Sequence, residues 1–540
     1  MSVFAYMPYG AGGIIIRVET DIRRGIPGVD ISGLAEGAVR ESRERVRAAF
    51  RNSGFSFPLD RILINLAPAG LKKDGASLDL PIALSVMAAA ELAPVSGNLL
   101  VMGELELSGN IRPVRGVLAA ISAGLAEGIT EFIVPAENAG EAAILADRGA
   151  RFTAVENLQS AVHTLFIRDE KGELPAPLET IPNKAAAIDA ADSVCNNDFC
   201  NVRGQSIYKR ALEIAAAGGH NLLVFGPPGA GKTMLARCLP SIMAPLSPNE
   251  AVEVTRLHSL AGPRGPGSSD RFIDRLIVTP PFRSPHHTAS AEGILGGGRI
   301  PRPGEISLAH FGVLFLDEAP EFKINVLQAL REPLEDRIIS IVRADGPLQL
   351  PAEFQLLLTA NSCRCGRLGM RESGCEAKAA CGCLCSPEEI NRYWRKFGGA
   401  LLDRIEIRVP VLPPKIEEMS EKNKIEKNVS LIETSSDIAC RVLAAVEIQR
   451  CRLQGTGIRR NALIPAGMTG AFCQMNEKAE NAFHIAVSKL GLSGRAYHGI
   501  LRVARTIADL EGKEIIETEH ILEAVQHRRF GDDPFDILEI

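Results

Sequence analysis

The sequence contains no run of about eighteen consecutive apolar residues, which is the length that a membrane-spanning helix requires. Its first ten residues, MSVFAYMPYG, lack the basic segment with which a secretory signal begins. A surplus of positive charge is also missing, since the formal net charge is −5 at pH 7. Any binding to nucleic acid must therefore come from locally arranged arginine and lysine side chains. We expect a cytoplasmic protein that does not contact a membrane.

Aromatic residues are scarce, but the rest of the composition is that of a globular protein. Phe, Trp and Tyr make up 5% of the chain, while hydrophobic residues make up 46% and charged residues 23%. A single hydrophobic core stops growing well below 540 residues, so the chain should hold about three domains. The twelve cysteines are expected to be thiols or metal ligands, because disulfides are rare in a reducing cytoplasm.

Alternating strand-like and helical runs indicate two α/β regions followed by a helical one. The segment between the α/β regions is polar, contains proline and has no clean periodicity, which is typical of a linker. We predict an α/β domain at 1–167, a linker at 168–196, a second α/β region at 197–413, a charged connector at 414–435 and a helical domain at 436–540.

A phosphate-binding loop follows an apolar strand in HNLLVFGPPGAGKTMLARCL. The glycines let backbone N–H groups close around phosphate oxygens, Lys232 supplies positive charge to the β and γ oxygens, and Thr233 offers a hydroxyl to Mg²⁺. The spacing therefore predicts a site for ATP and Mg²⁺. Its predicted binding residues are Gly226, Pro227, Pro228, Gly229, Ala230, Gly231, Lys232 and Thr233.

Two further apolar strands end in polar residues suited to the same nucleotide. GVLFLDEAPEF places Asp317 where it can complete the Mg²⁺ shell and Glu318 where it can orient the attacking water. FQLLLTAN ends at Asn361, whose amide can hold that water as a sensor of the γ-phosphate. Arg404 and Arg495 are candidates for cations that neutralise transition-state charge. The predicted catalytic residues are Glu318, Lys232, Asn361, Arg404 and Arg495.

These motifs, in this order, make the chain resemble a YifB/ComM-type Mg-chelatase-like AAA+ ATPase. The matching stretches include VRGQSIYKRALEIAAAGGHNLLVFGPPGAGKT, RSPHHTASAEGILGGGRIPRPGEISLAHFGVLFLDEAPEF, LLDRIEI and SGRAYHGILRVARTIADL. The resemblance implies an α/β fold, in which a P-loop AAA+ core with a helical C-terminal lid follows a Lon-proteolytic-like domain of the ribosomal S5 domain 2 type. It also implies a homo-oligomeric ring, usually a hexamer, in which Arg404 reaches a neighbour's nucleotide and Arg495 acts as sensor 2.

The resemblance further implies a helix-2 insert near 263–302 and a pre-sensor hairpin near 337–354. The hairpin has independent support, because two β-like runs flank Asp345-Gly346, a favoured tight-turn pair, and Arg343 would lie near its tip. The insert is basic, which suits contact with phosphates, although an exposed loop that binds nothing is the alternative. Its six arginines are Arg264, Arg271, Arg275, Arg283, Arg299 and Arg302.

The stretch KKDGASLDLP, residues 72–81, resembles the serine end of a Lon-type Ser-Lys peptidase. Ser77 would need a neutral lysine as its base. Lys72 and Lys73, the only lysines before residue 165, are too near in sequence, and the position matching Lon's lysine is Leu118. We expect the Lon-like fold without its catalytic dyad, and therefore no protease activity.

Six cysteines lie between residues 363 and 385. Four thiolates can close a tetrahedral Zn²⁺ site that staples a polar loop, and the alternative is a set of free thiols. The family resemblance points to Cys363, Cys365, Cys383 and Cys385 as the ligands.

The function that the resemblance implies is a Mg²⁺-dependent motor that moves along DNA and drives branch migration in recombination or natural transformation. Branched or single-stranded DNA would pass through the pore of the ring. Two alternatives stay open. One is a chelatase-type ATPase that drives metal insertion into a tetrapyrrole, and the other is a MoxR-type ATPase that remodels a protein.

Overall fold

The structure is a computed structural model that describes residues 2–34, 37–73, 75–95, 98–175, 198–262, 273–298, 301–343, 346–369, 383–413 and 433–539. None of the helices in these ranges combines the length and the apolar character that crossing a bilayer takes.

The N-terminal part of the chain folds into a seven-stranded mixed sheet in the order β3-β4-β2-β1-β5-β8-β9. The strands before residue 175 are β1 (Ser2–Tyr9), β2 (Gly12–Arg23), β3 (Gly28–Ser32), β4 (Arg61–Ala67), β5 (Leu99–Val101), β6 (Glu104–Leu105), β7 (Ile111–Arg112), β8 (Glu131–Pro135) and β9 (Arg151–Val155). The helices are α1 (Gly37–Asn52), α2 (Asp79–Ala89), α3 (Val117–Ala126), α4 (Ala139–Ala143) and α5 (Leu158–Lys171). Helix α2 is apolar on nearly all sides, because it is buried between the sheet and α1.

Helix α5 extends past the predicted start of the linker. It ends at Lys171, and the buried Arg168 forms an ion pair with Glu131, the first residue of β8. Leu174 is buried, and its amide donates to the Glu131 carboxylate (2.9 Å). The predicted boundary at 168 is therefore wrong, because these contacts join residues 168–175 to the N-terminal sheet. The rest of the predicted linker lies outside the described residues.

The second sheet is entirely parallel, in the order β11-β14-β17-β10-β18. Its strands are β10 (Leu222–Phe225), β11 (Phe282–Arg283), β14 (Val313–Leu316), β17 (Gln355–Ala360) and β18 (Ile407–Pro410). Two antiparallel ribbons lie outside this sheet. One pairs β12 (Gly296–Gly297) with β13 (Arg302–Pro303), and the other pairs β15 (Ile338–Arg343) with β16 (Gly346–Pro351). The central strands LLVF, VLFL and QLLLTA are buried at every position. Continuous apolar runs are expected in a parallel sheet that is covered on both faces.

Helices surround this sheet and continue into a helical C-terminal part. The helices of the core are α6 (Ser206–Gly218), α7 (Lys232–Ala236), α8 (Pro248–Ala261), α9 (Ala291–Leu295), α10 (Glu305–Leu308), α11 (Ile324–Ala329), α12 (Arg331–Asp336), α13 (Pro387–Trp394) and α14 (Gly399–Leu402). The later ones are α15 (Ser435–Arg452), α16 (Thr469–Phe472), α17 (Glu477–Leu490), α18 (Gly494–Leu510) and α19 (Thr518–Arg528). Helices α15 and α18 pack on α6, so the helical part shares one hydrophobic core with the sheet. Most of the predicted charged connector, residues 414–432, lies outside the described ranges.

The N-terminal sheet docks onto the core at two places. The buried carboxylate of Glu141 accepts hydrogen bonds from the Leu118 amide (2.8 Å) and from the hydroxyl of Ser259 on α8. At the second place the turn between β1 and β2 reaches the two ribbons, where the Gly10 amide donates to the Pro301 carbonyl (3.3 Å). Gly10 has a φ of 67°, and any side chain there would collide with Leu348 of β16. The turn therefore requires glycine.

Candidate nucleotide site and cysteine cluster

The predicted phosphate-binding loop connects the C-terminal end of β10 to α7, which begins at Lys232. Gly229 and Gly231 have φ angles of 78° and 83°, a conformation that residues with a side chain rarely adopt. Two glycines in this conformation let successive backbone N–H groups point toward one anion. The loop therefore has the backbone that phosphate binding needs.

The ammonium group of Lys232 is held inside this loop. It donates to the carbonyls of Gly226 and Pro227 (both 2.8 Å) and to the side-chain oxygen of Asn361 (3.1 Å). Burial lowers the pKa of Lys232 to about 8, while the nearby carboxylates of Asp317 and Glu318 act in the opposite direction. The lysine predicted from the loop and the amide predicted at the end of β17 are therefore in direct contact.

The predicted magnesium ligands also lie together. The Thr233 hydroxyl is 3.0 and 3.1 Å from the two carboxylate oxygens of Asp317. A hydroxyl beside a carboxylate at a phosphate-binding loop is the donor set that Mg²⁺ takes in P-loop proteins, so these two residues fit the ion.

Thr359, which no sequence motif singled out, positions both acidic residues. Its hydroxyl donates to Asp317 (2.5 Å) and accepts the amide hydrogen of Glu318 (3.0 Å), and its side chain is buried. Thr359 precedes Asn361 by two residues, so the alternation of a strand puts both side chains on one face. A threonine inside the apolar run LLLTAN was the signal that could have revealed it.

Glu318 has an unusual backbone conformation, with φ 50° and ψ 49°. A non-glycine residue in this left-handed region costs about 1 to 3 kcal/mol, and such strain is concentrated at functional sites. Its side chain is exposed, whereas Asp317 beside it is half-buried. The turn therefore presents one carboxylate to solvent and keeps the other on Thr233.

Arg404 and Arg495 lie in a different place. The side chain of Asn221 donates to the Arg404 carbonyl (3.0 Å), and Asn221 directly precedes β10, whereas the phosphate-binding loop follows that strand. Both arginines are bound to Glu335 instead of to a residue of the loop. The five residues Lys232, Thr233, Asp317, Glu318 and Asn361 thus share one edge of the sheet, and the two arginines lie toward the opposite edge.

The four predicted zinc ligands meet beside the nucleotide site. The Sγ atoms of Cys363, Cys365, Cys383 and Cys385 all lie within 4.8 Å of one another. Cys363 and Cys365 are 3.3 Å apart, and each is 3.6 Å from Cys383. Four sulfurs bound to one Zn²⁺ at about 2.3 Å would have similar separations, so the cluster fits the ion. The other two cysteines of the segment, Cys375 and Cys381, lie outside the described residues.

The thiols of the cluster differ in acidity. Burial raises the pKa of Cys363 to about 11. Burial also opposes ionisation of Cys365, but hydrogen bonds from the Arg367 and Leu384 amides and from neighbouring thiols lower its pKa to about 6. One thiolate is therefore available at neutral pH for a cation.

The cysteine cluster also lies against the phosphate-binding loop. Gly366, which follows Cys365, packs so closely on Pro228 that a side chain at position 366 would collide with that loop.

The described residues include the predicted DNA-facing elements only in part. Strands β15 and β16 form the expected hairpin, and Gly346, which was predicted to lie in the tight turn, instead pairs with Arg343 at the start of β16. Residues 344–345 lie outside the described ranges. Val342, near the tip, is 86% exposed.

One arginine of the insert is not available to DNA. Arg283 is buried, and its guanidinium forms two hydrogen bonds of 2.6 Å with the Glu305 carboxylate. Including it among the phosphate contacts was therefore wrong, because its charge is already neutralised inside the core. Arg275 and Arg302 are exposed, and the other three arginines of the insert lie outside the described residues.

The Lon-like region lacks a lysine at the position that the sequence comparison identified. Leu118 is fully buried on α3. Ser77 lies on a short 3-10 turn before α2, and the ammonium of Lys73 donates to the Pro68 carbonyl. Position 118 therefore cannot provide the lysine base that a Ser-Lys dyad with Ser77 would need.

Comparison with known proteins agrees with this arrangement over nearly the whole chain. Residues 198–419 match the family described as "Magnesium chelatase, subunit ChlI", residues 18–138 match "Subunit ChlI of Mg-chelatase", and residues 432–528 match "Magnesium chelatase, subunit ChlI C-terminal".

Full-length relatives narrow the family. The "Competence protein ComM" of Haemophilus influenzae is 37% identical over 530 residues, which are 97% of each chain. The "Uncharacterized protein YifB" of Salmonella typhimurium is 39% identical over 518 residues, which are 95% of this chain and 94% of that protein. A Lon protease of Solibacter usitatus is 26% identical over 183 residues, or 32% of this chain. The chain belongs to the ComM/YifB-type family of Mg-chelatase-like proteins, with an AAA+-type ATPase core, a C-terminal helical part and a Lon-like N-terminal region.

Proposed function

We propose that this protein is a ring-forming, Mg²⁺-dependent ATPase that moves along DNA and drives branch migration in recombination or natural transformation. The observation that carries the proposal is the division of the catalytic residues. Lys232, Asp317 and Asn361 share one edge of the sheet, whereas Arg404 and Arg495 lie toward the other. Such a division makes a single subunit incomplete as an ATPase.

The phosphate side of the site can be assigned residue by residue. The loop amides and Lys232 would hold the β- and γ-phosphates, and the Thr233 hydroxyl and the Asp317 carboxylate would hold Mg²⁺. Bound Mg²⁺ would neutralise charge that develops on the phosphate oxygens. Asn361 is placed to bind the attacking water or the γ-phosphate, and the exposed carboxylate of Glu318 is placed to accept the proton of that water.

A ring would supply the missing charges. In a homo-oligomer, for which we expect a hexamer, Arg404 and Arg495 of one subunit would approach the triphosphate bound to the next. A heterologous contact of this kind repeats around a closed ring.

DNA is the substrate that we favour, since one full-length relative is named a competence protein. The exposed end of the β15–β16 hairpin and the exposed Arg275 and Arg302 could line a pore and contact the phosphate backbone without reading bases. Because the net charge is −5, such contacts would depend on locally arranged arginine and lysine side chains. A chelatase-type or a MoxR-type ATPase would have the same nucleotide chemistry. The substrate that stimulates ATP hydrolysis distinguishes these two functions from a DNA motor.

We also propose that the four cysteines bind a structural Zn²⁺. A zinc ion would fix the loop that follows Asn361, and through Gly366 it would brace Pro228 of the phosphate-binding loop.

Replacing Glu318 by Gln should leave ATP binding within about threefold of the wild type and lower turnover at least about 100-fold, because the amide cannot accept a proton. Equilibrium binding of a fluorescent ATP analogue and a steady-state phosphate-release assay measure the two quantities. The exposed Glu321, which follows on the same turn, gives a matched control. Turnover that survives in Glu318→Gln, or falls equally in Glu321→Gln, would rule out the assigned base.

The choice of substrate is tested by adding candidates to the ATPase assay. Four-way or forked DNA should raise the rate at least about fivefold, and the stimulation should decline steeply with added salt because phosphate contacts release counterions. Porphyrin and an unfolded protein serve as the comparison. Stimulation by porphyrin alone would favour the chelatase-type function, and stimulation by protein alone the MoxR-type function.

Purified protein should contain about one zinc ion per chain by metal analysis, and Cys383→Ser should lose it. The variant should also unfold at a lower temperature and bind ATP several-fold more weakly, since the loop no longer braces Pro228. Cys440→Ser removes an exposed thiol outside the cluster and should change neither quantity. A wild-type protein that contains no zinc after growth in zinc-supplied medium would contradict the assignment.

A further inference from the structure

A cavity of about 560 Å³ lies between the core and the C-terminal helices, and it contains both arginines that are absent from the phosphate-binding edge. Its walls include Arg337 on the core side and Arg502 on α18, besides Arg404 and Arg495. Guanidinium groups bind carboxylates and phosphates through charge-assisted hydrogen bonds. In the free subunit the arginines face carboxylates of the chain itself, since the same walls carry Glu335, Glu353, Asp403 and Glu406.

Glu335 binds the two arginines with one oxygen each. Oε2 contacts Nη2 of Arg404, and Oε1 lies 2.8 Å from Nη2 of Arg495. The two arginines are 69 and 160 residues away from Glu335 along the chain, so only the fold brings them together. The hydrogen bond from Arg404 lowers the pKa of Glu335, and the carboxylate is therefore ionised at neutral pH.

No other acid in the described part of the cavity bonds to both arginines. Asp403 is 3.8 Å from Nη1 of Arg495, and its other oxygen accepts from the Ser493 hydroxyl (2.8 Å) and lies 3.5 Å from Arg528. Asp403 is thus engaged elsewhere, and the bridge between the arginines depends on Glu335.

Exposure indicates that this bridge can open. The side chain of Glu335 is 51% exposed at the end of a short helix, whereas that of Arg404 is only 14% exposed. Arg404 is also tied to the Ala400 carbonyl (2.7 Å), and its buried Nε has no partner among the described residues. The Glu335 carboxylate can therefore move into solvent. The Arg404 guanidinium would stay in place, and its N–H groups would be available to another anion.

We propose that Glu335 is a displaceable counter-ion, which in the free subunit occupies the position on Arg404 and Arg495 that a neighbouring subunit's nucleotide phosphate takes in the ring. This inference rests on the proposed ring ATPase. A carboxylate and a phosphate compete for the same guanidinium donors, and they repel each other. Glu335 therefore raises the nucleotide concentration at which subunits assemble. Until a neighbour's phosphate binds, it neutralises the positive charges of Arg404 and Arg495.

Glu335→Gln removes the negative charge but keeps the size and one hydrogen-bond acceptor. The concentration of Mg²⁺·ATPγS at half-maximal assembly, measured by sedimentation velocity, should fall about three- to tenfold, while kcat for ATP stays within about twofold of the wild type. Glu335→Ala should shift assembly in the same direction. Glu332→Gln, on the exposed side of the same helix, is the matched control and should leave the threshold unchanged.

The result separates a counter-ion from a residue that merely holds the arginines in place. If Glu335 only positioned them, its loss would lower kcat and leave the assembly threshold unchanged or raise it, and either result would overturn the inference. A wild-type protein that neither assembles with ATPγS nor hydrolyses ATP would instead refute the proposed ring ATPase itself.

Discussion

The site depends on the parallel pairing of three buried strands. Strand β17 pairs with β10 on one side and with β14 on the other, so that Val224 lies opposite Thr359 and Leu316 opposite Leu358. Parallel strands in register end at one edge of a sheet, and there the phosphate-binding loop, the acidic pair and the sensor amide come within hydrogen-bonding distance. The register of these strands sets the distances among the polar residues that follow them.

The same sheet separates the residues that we propose for ATP hydrolysis into two groups. The ammonium of Lys232 and the carboxylate of Asp317 are at one edge, and a strand of four residues spans about 13 Å to Asn221, beside which Arg404 lies. In the proposed ring, the charges that act on one triphosphate would therefore come from two faces of the molecule. On that proposal, hydrolysis would depend on assembly.

The sequence predicted what is local. Glycine spacing, an apolar run ending in two acids, and a second run ending in asparagine each specify a strand and the residue that follows it, and these residues do meet. Distant pairs that no motif brings to the nucleotide could not be predicted. Nothing in the sequence ties Arg283 to Glu305, Thr359 to Asp317 or Glu335 to its two arginines, because each pairing results from how separate elements pack. For the same reason the contacts of Arg168 and Leu174 with the N-terminal sheet could not be predicted, and they extend that domain into a polar segment.

Mixing two inactive variants tests the divided site most directly. The Lys232→Ala variant should no longer bind nucleotide but should keep Arg404 and Arg495. The Arg404→Ala variant should keep its phosphate-binding loop but lose the arginine that reaches the neighbouring subunit's nucleotide. Each variant alone should be inactive, and an equal mixture should recover about a quarter of the wild-type ATPase rate, because random assembly pairs an intact loop with an intact arginine at about one interface in four. A mixture that stays inactive, or Arg404→Ala with full activity on its own, would contradict the account.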